Sequence, residues 1–323
     1  MKLLGRLLLL LFVLGFVFGT VFYERPLWVQ QQTVHLELFL HHVQSNYVMT
    51  PEGRVHYYEA EPRISGGGVP LVLVHGLADR GESWAPMLER LKKAGFHVYA
   101  PDLLGYGRSP KPADSDYSIA TQEQFVVEFI QSLGLQKTDV GGWSMGGWIT
   151  LKLALDHPDM VNRVVVYDSA GLYLHLNGGT QVFHPSDGPS LQHLANLLEP
   201  HVRPLPAFVS RDVLRTLREG QWVVDRSVAS MEKGNDLLDT RLSAITEPLL
   251  IVWGSDDGLL PLSLGQQMHT LDPQSELDVV EGCGHLAPKF CPVRVAAATA
   301  DFLKANPAPA GGIHTLAKMQ RVN

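Results

Sequence analysis

Gly142-Trp143-Ser144-Met145-Gly146 sets a serine between two glycines, with the short apolar approach Asp139-Val140 before it and a helical pattern from Ile149 to Leu155 after it. His157-Pro158 ends that pattern. A serine at a strand-to-helix junction, with glycine two residues to either side, predicts a nucleophile elbow: a tight, strained turn that presents the hydroxyl outward. The chemistry would be attack on a carbonyl carbon, with the backbone N–H of Met145 at the positive end of the helix available to an oxyanion. The competing reading is a glycine-rich helix start that only packs closely against a sheet.

A nucleophilic serine needs a base, and the base needs an orienting acid. In a parallel sheet such groups meet on loops at the carboxyl ends of neighbouring strands. Three loops offer candidates: His75-Gly76-Leu77 after an apolar run, Gly254-Ser255-Asp256-Asp257 after a second, and Gly282-Cys283-Gly284-His285 after a third. Asp168, after Arg163 to Tyr167, is a further carboxylate at a strand end. Asp102 with Gly105 and Gly107 forms a tight turn that is expected to be architectural.

The elements that must position these loops alternate. Val55 to Tyr58, Pro70 to His75, Phe96 to Ala100, Arg163 to Tyr167, Leu249 to Trp253 and Glu276 to Val280 have strand patterns, with helices expected over 84–93, 121–133 and 293–304. This alternation predicts an α/β fold with a mostly parallel central sheet flanked by helices. Residues 172–245 interrupt it with helical patterns alone, as an inserted cap whose leucines, with Phe183 and Phe208, would line an apolar entrance. The expected organisation is a membrane anchor over 1–24, a juxtamembrane connection over 25–50, a core over 51–171 and 246–304, the cap over 172–245, and a flexible tail over 305–323.

From Leu7 to Tyr23 there is no charge, and Lys2 and Arg6 precede the run. Its length suits one membrane crossing, and the basic residues would hold the N-terminus in the cytoplasm and send the remainder across. A cleaved signal peptide, leaving a secreted protein, is the alternative; the sequence after Gly19 is a poor cleavage site. The net charge of −7 argues against nucleic acid as a partner, and there is no phosphate-binding glycine loop, dinucleotide fingerprint or metal-ligand spacing, so no cofactor and no metal are expected. The two cysteines, Cys283 and Cys291, flank His285: either a single bridge or two reduced thiols.

With LVLVHGL, the turn from Asp102 to Ser109, GWSMGG, IVWGSDDGLLP and EGCGH in this order, the chain resembles the α/β-hydrolase family over about residues 50–305. The resemblance implies Ser144 as nucleophile, His285 as general base and Asp257 as the acid, with Asp256 left to cap the turn and Asp168 where some relatives keep their acid. It also implies an oxyanion hole from the N–H groups of Leu77 and Met145. His75, Gly76 and Trp143 are expected on the substrate side of the site, His75 as a structural residue of the oxyanion loop and Trp143, like Met145, either walling the pocket or packing in the core. Ser144 sets the chain apart from relatives that use aspartate as nucleophile. It is similar to membrane-anchored monoacylglycerol lipases, with Cys291 replacing the usual acidic residue before Pro292. The implied activity is serine-dependent hydrolysis of monoacylglycerol-like or medium-chain esters. A carbon–carbon bond hydrolase with the same triad, and a non-catalytic receptor or scaffold, are the other readings. The implied partners are a small-molecule or lipid ester and the membrane.

Overall fold

The computed structural model describes residues 2–63, 68–176, 179–200 and 202–318. Met1, three short cap and loop positions (177–178 and 201), and the last five residues of the expected tail lie outside the described residues, as do residues 64–67.

The chain opens with two helices, α1 (Lys2–Glu24) and α2 (Pro26–Leu40). Strands β1 (Gln44–Thr50), β2 (Gly53–Ala60) and β3 (Val69–Val74) follow, then α3 (Ala85–Lys93), β4 (Phe96–Pro101), α4 (Ile119–Ser132), β5 (Thr138–Trp143), α5 (Met145–Asp156) and β6 (Val161–Tyr167). The segment after β6 carries α6 (Gly188–Leu198) and α7 (Ala207–Met231). The alternation resumes with β7 (Leu249–Gly254), α8 (Leu262–Leu271), β8 (Glu276–Val280), the single turn α9 (Ala287–Phe290), α10 (Pro292–Lys304) and β9 (Ile313–Leu316).

Among the described residues the strands form one sheet in the order β1-β2-β4-β3-β5-β6-β7-β8-β9. β2 runs antiparallel to β1 and β4, and the remaining pairs are parallel. The apolar run of β3 is buried on both faces because successive side chains alternate. Leu71 and Leu73 pack with Leu88 and Leu91 of α3 and Val295 of α10. Val72 and Val74 pack with Phe125 and Phe129 of α4 and Ile149 of α5. Each such side chain contributes about 1.5–3 kcal/mol on burial, so the centre of the sheet, where the elbow sits, is held by packing on both faces. Helix α4 starts where the Ser118 hydroxyl accepts from Thr121 N, and α6 starts in a capping box between Asp187 and Ser190.

Three expectations are corrected here. The connection over 25–50 is not only a linker: Gln44–Thr50 is the edge strand β1, fully paired with β2. The tail is ordered in part, since Ile313–Leu316 adds β9 in parallel to β8. Phe208 does not line an apolar entrance; its ring stacks on Tyr23 with centroids 5.3 Å apart and lies 5.9 Å from that of Phe22.

That last contact belongs to a junction between the N-terminal helices and the start of α7. Leu27 N donates to the buried carboxylate of Asp212 at 3.0 Å, Arg215 also engages Asp212, and the Arg211 guanidinium lies 5.1 Å from the Tyr23 ring centroid. Upstream, the large apolar side chains of α1 from Leu7 to Phe18 are exposed, and Arg6–Glu24 is long and apolar enough to cross a membrane.

Candidate active site

Ser144 lies between β5 and α5 with φ 57° and ψ −119°. A non-glycine residue in this region costs on the order of 1–3 kcal/mol and persists only where its surroundings over-determine it. Here they do. Ser144 N donates to Tyr167 O at 3.0 Å, and Ser144 O accepts from Gly147 N and Ala170 N at 3.0 and 3.1 Å. The flanking glycines have a steric reason: a Cβ on Gly142 would stand 2.1 Å from Gly146 O, and one on Gly146 would stand 2.2 Å from Val74 O. Only bare backbone lets α5 start so close to β5 and β3.

Loops after β7 and β8 bring the acid and base together. His285 Nδ1 lies 2.8 Å from Asp257 Oδ2, and both residues are buried. The other oxygen of Asp257 accepts from Leu259 N at 2.8 Å and Leu260 N at 2.9 Å. A carboxylate with three donors is held in one orientation, and it keeps the imidazole proton on Nδ1 so that Nε2 retains its lone pair. Trp253 Nε1 donates to Leu260 O and closes the acid loop, while Asp256 N donates to Cys283 O and ties that loop to the base loop. Asp256 itself is exposed and accepts from the Ser255 hydroxyl.

Asp168 follows β6 with φ 43° and is fully buried. Its Oδ1 accepts from Gly254 N at 2.7 Å, and Oδ2 is buried with no hydrogen-bond partner among the described residues. Burial, then the neighbouring Asp257 carboxylate, pushes its carboxyl well above the ordinary range. Both causes favour the neutral form of Asp168 beside the Asp257–His285 pair.

Ser144, Leu77 and Met145 line a cavity of about 560 Å³. Its far wall is apolar, with Trp148, Leu172, Leu174, Leu176, Phe183, Val228, Met231 and Leu259. Met145 is the first residue of α5, so its N–H belongs to the turn that has no intrahelical acceptor. Gly76 lies against the elbow, where a Cβ would be 3.2 Å from Ser144 Cβ. The expected substrate-side roles of Trp143 and His75 are corrected. The Trp143 indole is buried in the core and donates to His285 O at 2.7 Å. His75 is fully buried between Gly76 O at 2.8 Å and Leu103 N at 3.0 Å, and burial holds its imidazole below the ordinary histidine range. Both therefore brace the loops that carry the site. Trp148, four residues beyond Ser144 on α5, reaches the cavity; its only sequence signal was that spacing.

Cys283 and Cys291 form a disulfide, which sets aside two reduced thiols. No cluster of metal-ligating side chains occurs among the described residues.

A strained serine at a strand-to-helix turn, a buried carboxylate–histidine pair and an apolar cavity over the carboxyl ends of a parallel sheet define a hydrolase site of the α/β type. Residues 69–290 match the family model described as alpha/beta hydrolase fold, and the chain belongs to that family and is a hydrolytic enzyme. It is 29% identical over 242 residues to 2-hydroxymuconate semialdehyde hydrolase of Pseudomonas putida, covering 71% of this chain and 84% of that one. It is 27% identical over 231 residues to Lipase 3 of a Moraxella species, covering 68% and 72% of the two chains. Among solved structures it is similar to a membrane phospholipase A, with a TM-score of 0.78 and 25% identity over 93% of this chain and 98% of that one.

Proposed function

We propose that the protein is a membrane-tethered serine carboxylesterase that cleaves monoacylglycerol-like or medium-chain acyl esters through an acyl-enzyme intermediate. The observation that carries this reading is the pairing of strained Ser144 with an apolar cavity of about 560 Å³. Ser144 Oγ attacks the ester carbonyl and gives its proton to His285 Nε2. Leu77 N–H and Met145 N–H take the oxyanion, and Asp257 holds the imidazolium. The alcohol leaves with the proton from His285; water, activated by the same imidazole, then releases the acid. Residues 172–245 act as the cap, whose segment before α6 and the C-terminal end of α7 receive the acyl chain. The lipase and membrane phospholipase A relatives support a lipid ester.

Acyl length is the test. Each buried methylene is worth about 0.8 kcal/mol, close to a fourfold gain in kcat/KM per carbon. Turnover of p-nitrophenyl esters is expected to rise steeply from acetyl to about octanoyl, then level or fall, with amides far poorer. A flat series would remove the cap from substrate binding. The relative that hydrolyses 2-hydroxymuconate semialdehyde supports a second reading, carbon–carbon hydrolysis with the same triad. That enzyme would cleave a vinylogous diketone rapidly and show weak ester turnover with no length trend.

The exposed apolar surface of α1 supports a single-pass signal anchor, with the catalytic part on the non-cytoplasmic side. Full-length protein is expected to remain in membranes after alkaline carbonate extraction, and protease is expected to reach it only from the non-cytoplasmic face. A mature N-terminus near residue 24 would instead identify a cleaved signal peptide.

A further inference from the structure

The disulfide between Cys283 and Cys291 encloses His285. Cys283 lies two residues before the histidine, and Cys291 lies at the joint between α9 and α10. Cys283 is fully buried, and its carbonyl also receives Asp256 N from the acid loop. Cys291 is half-buried. Beside both sulfurs stands a cation: Arg294 Nη2 lies 2.8 Å from Cys283 Sγ and 3.3 Å from Cys291 Sγ. The guanidinium is held there through Nη1, which donates to Glu281 O at 2.9 Å and to Leu316 O of β9 at 2.7 Å. The nearby Glu281 carboxylate accepts from Lys318 N.

A purely structural bridge needs no cation against its sulfurs. Thiol–disulfide exchange is governed by which sulfur can be reached and by how well the departing sulfur bears negative charge. A guanidinium stabilises a thiolate, which favours the reduced form and makes the bond easier to open. Cys291 is the less buried of the two residues, and Cys283, whose sulfur lies closer to Arg294, is the fully buried one, so attack and departure have different sites.

We propose that the Cys283–Cys291 bond is a thiol–disulfide exchange site for a dithiol reductant, and that its opening disables the catalytic base. The proposal rests on the reading of His285 as that base. A thiolate of the reductant attacks Cys291 Sγ, the S–S bond breaks, and its electron pair leaves on Cys283 Sγ beside Arg294. The second thiol of the reductant then attacks the reductant's first sulfur, and Cys291 Sγ leaves as a thiolate that takes up a proton. The reductant departs as its own disulfide, and two electrons and two protons have passed to the two cysteines. Without the cross-link, the segment carrying His285 keeps its hydrogen bonds and the core packing of Leu286 and Ala287 but loses its covalent closure, and the imidazole is held less firmly against Asp257.

The test uses the full chain in detergent micelles, equilibrated over a series of reduced-to-oxidised dithiothreitol ratios. One aliquot is alkylated and mapped by mass spectrometry at Cys283 and Cys291; others are assayed for octanoyl ester turnover, fluorophosphonate labelling and near-ultraviolet circular dichroism. Both thiols are expected to appear in folded protein, with turnover falling about tenfold or more along the same curve and returning on reoxidation. Arg294→Gln is expected to keep oxidised activity and to need a roughly tenfold higher ratio for half-reduction. Full turnover with both cysteines alkylatable, an unchanged midpoint in Arg294→Gln, or thiols that appear only as the near-ultraviolet signal collapses would each overturn the proposal. An oxidised enzyme inert to both ester and fluorophosphonate would overturn the catalytic reading, and the proposal with it.

Discussion

Ser144→Ala is expected to lower kcat for an octanoyl ester by roughly 10⁴- to 10⁶-fold, the loss seen when a nucleophile is removed from a cooperating triad. The fold should not follow. Alanine meets the same backbone penalty at φ 57° as serine, and the bonds that hold the elbow, to Tyr167 O and from Gly147 N and Ala170 N, are all backbone. The melting temperature and circular dichroism should therefore match the wild type while turnover disappears. Activity near wild type would remove Ser144 from the mechanism, whereas loss of activity together with loss of fold would assign it an architectural role.

Asp257→Asn carries the second large effect, a fall in kcat of roughly 10³- to 10⁴-fold. The amide keeps an oxygen for Leu259 N and Leu260 N, but it no longer offers a carboxylate to His285 Nδ1, so the ring tautomer and the imidazolium lose their support. Asp168→Asn should behave in the opposite way. Its amide oxygen still accepts from Gly254 N, and activity should stay within several-fold of wild type. Stability should rise. The folded carboxyl of Asp168 has a raised pKa, so wild-type stability falls as pH climbs above the ordinary value of 3.8 toward the raised one. The variant is free of that slope: the two proteins should melt alike below about pH 3.8 and diverge by a few degrees at neutral pH, with the variant higher. Thermal melts across pH, run beside ester kinetics, check both halves. A greater loss of activity in Asp168→Asn than in Asp257→Asn would move the acid to the end of β6.

Most of the site's positioning is legible in sequence because it is local. The elbow is five consecutive residues, and His285 and Asp257 lie on glycine-bearing loops that follow short apolar runs, with the choice of Asp257 over Asp256 resting on the family resemblance. What is not legible depends on partners far along the chain. Ile313–Leu316 is a four-residue strand after a Pro/Gly-rich stretch, and it becomes β9 only because β8 offers an open parallel edge. Gln44–Thr50 is polar and mostly exposed, so it carries no apolar alternation, and β2 gives it its register. Helix α7 runs 25 residues through Gly220, which a local pattern breaks into shorter pieces.

Trp143 and Phe208 show the same limit for single side chains. Trp143 adjoins the nucleophile in sequence, but strand alternation turns its indole into the layer below, where it braces the His285 carbonyl. Phe208 is an apolar cap residue whose partners, Phe22 and Tyr23, lie on the first helix. The spacing of Cys283 and Cys291 permits a bridge without requiring one, and the fold decides it by bringing the α9–α10 joint back to the base loop.

Covalent capture identifies the nucleophile. Full-length enzyme in detergent is incubated with a fluorophosphonate, and in parallel with a slowly hydrolysed acyl ester quenched in acid; both samples are then weighed intact and mapped by peptide mass spectrometry. One phosphonyl and one acyl adduct per chain are expected, both on Ser144, with the acyl adduct decaying at the rate of turnover and both absent from Ser144→Ala. An active enzyme that carries no adduct, or carries it on any other residue, would contradict the role of Ser144.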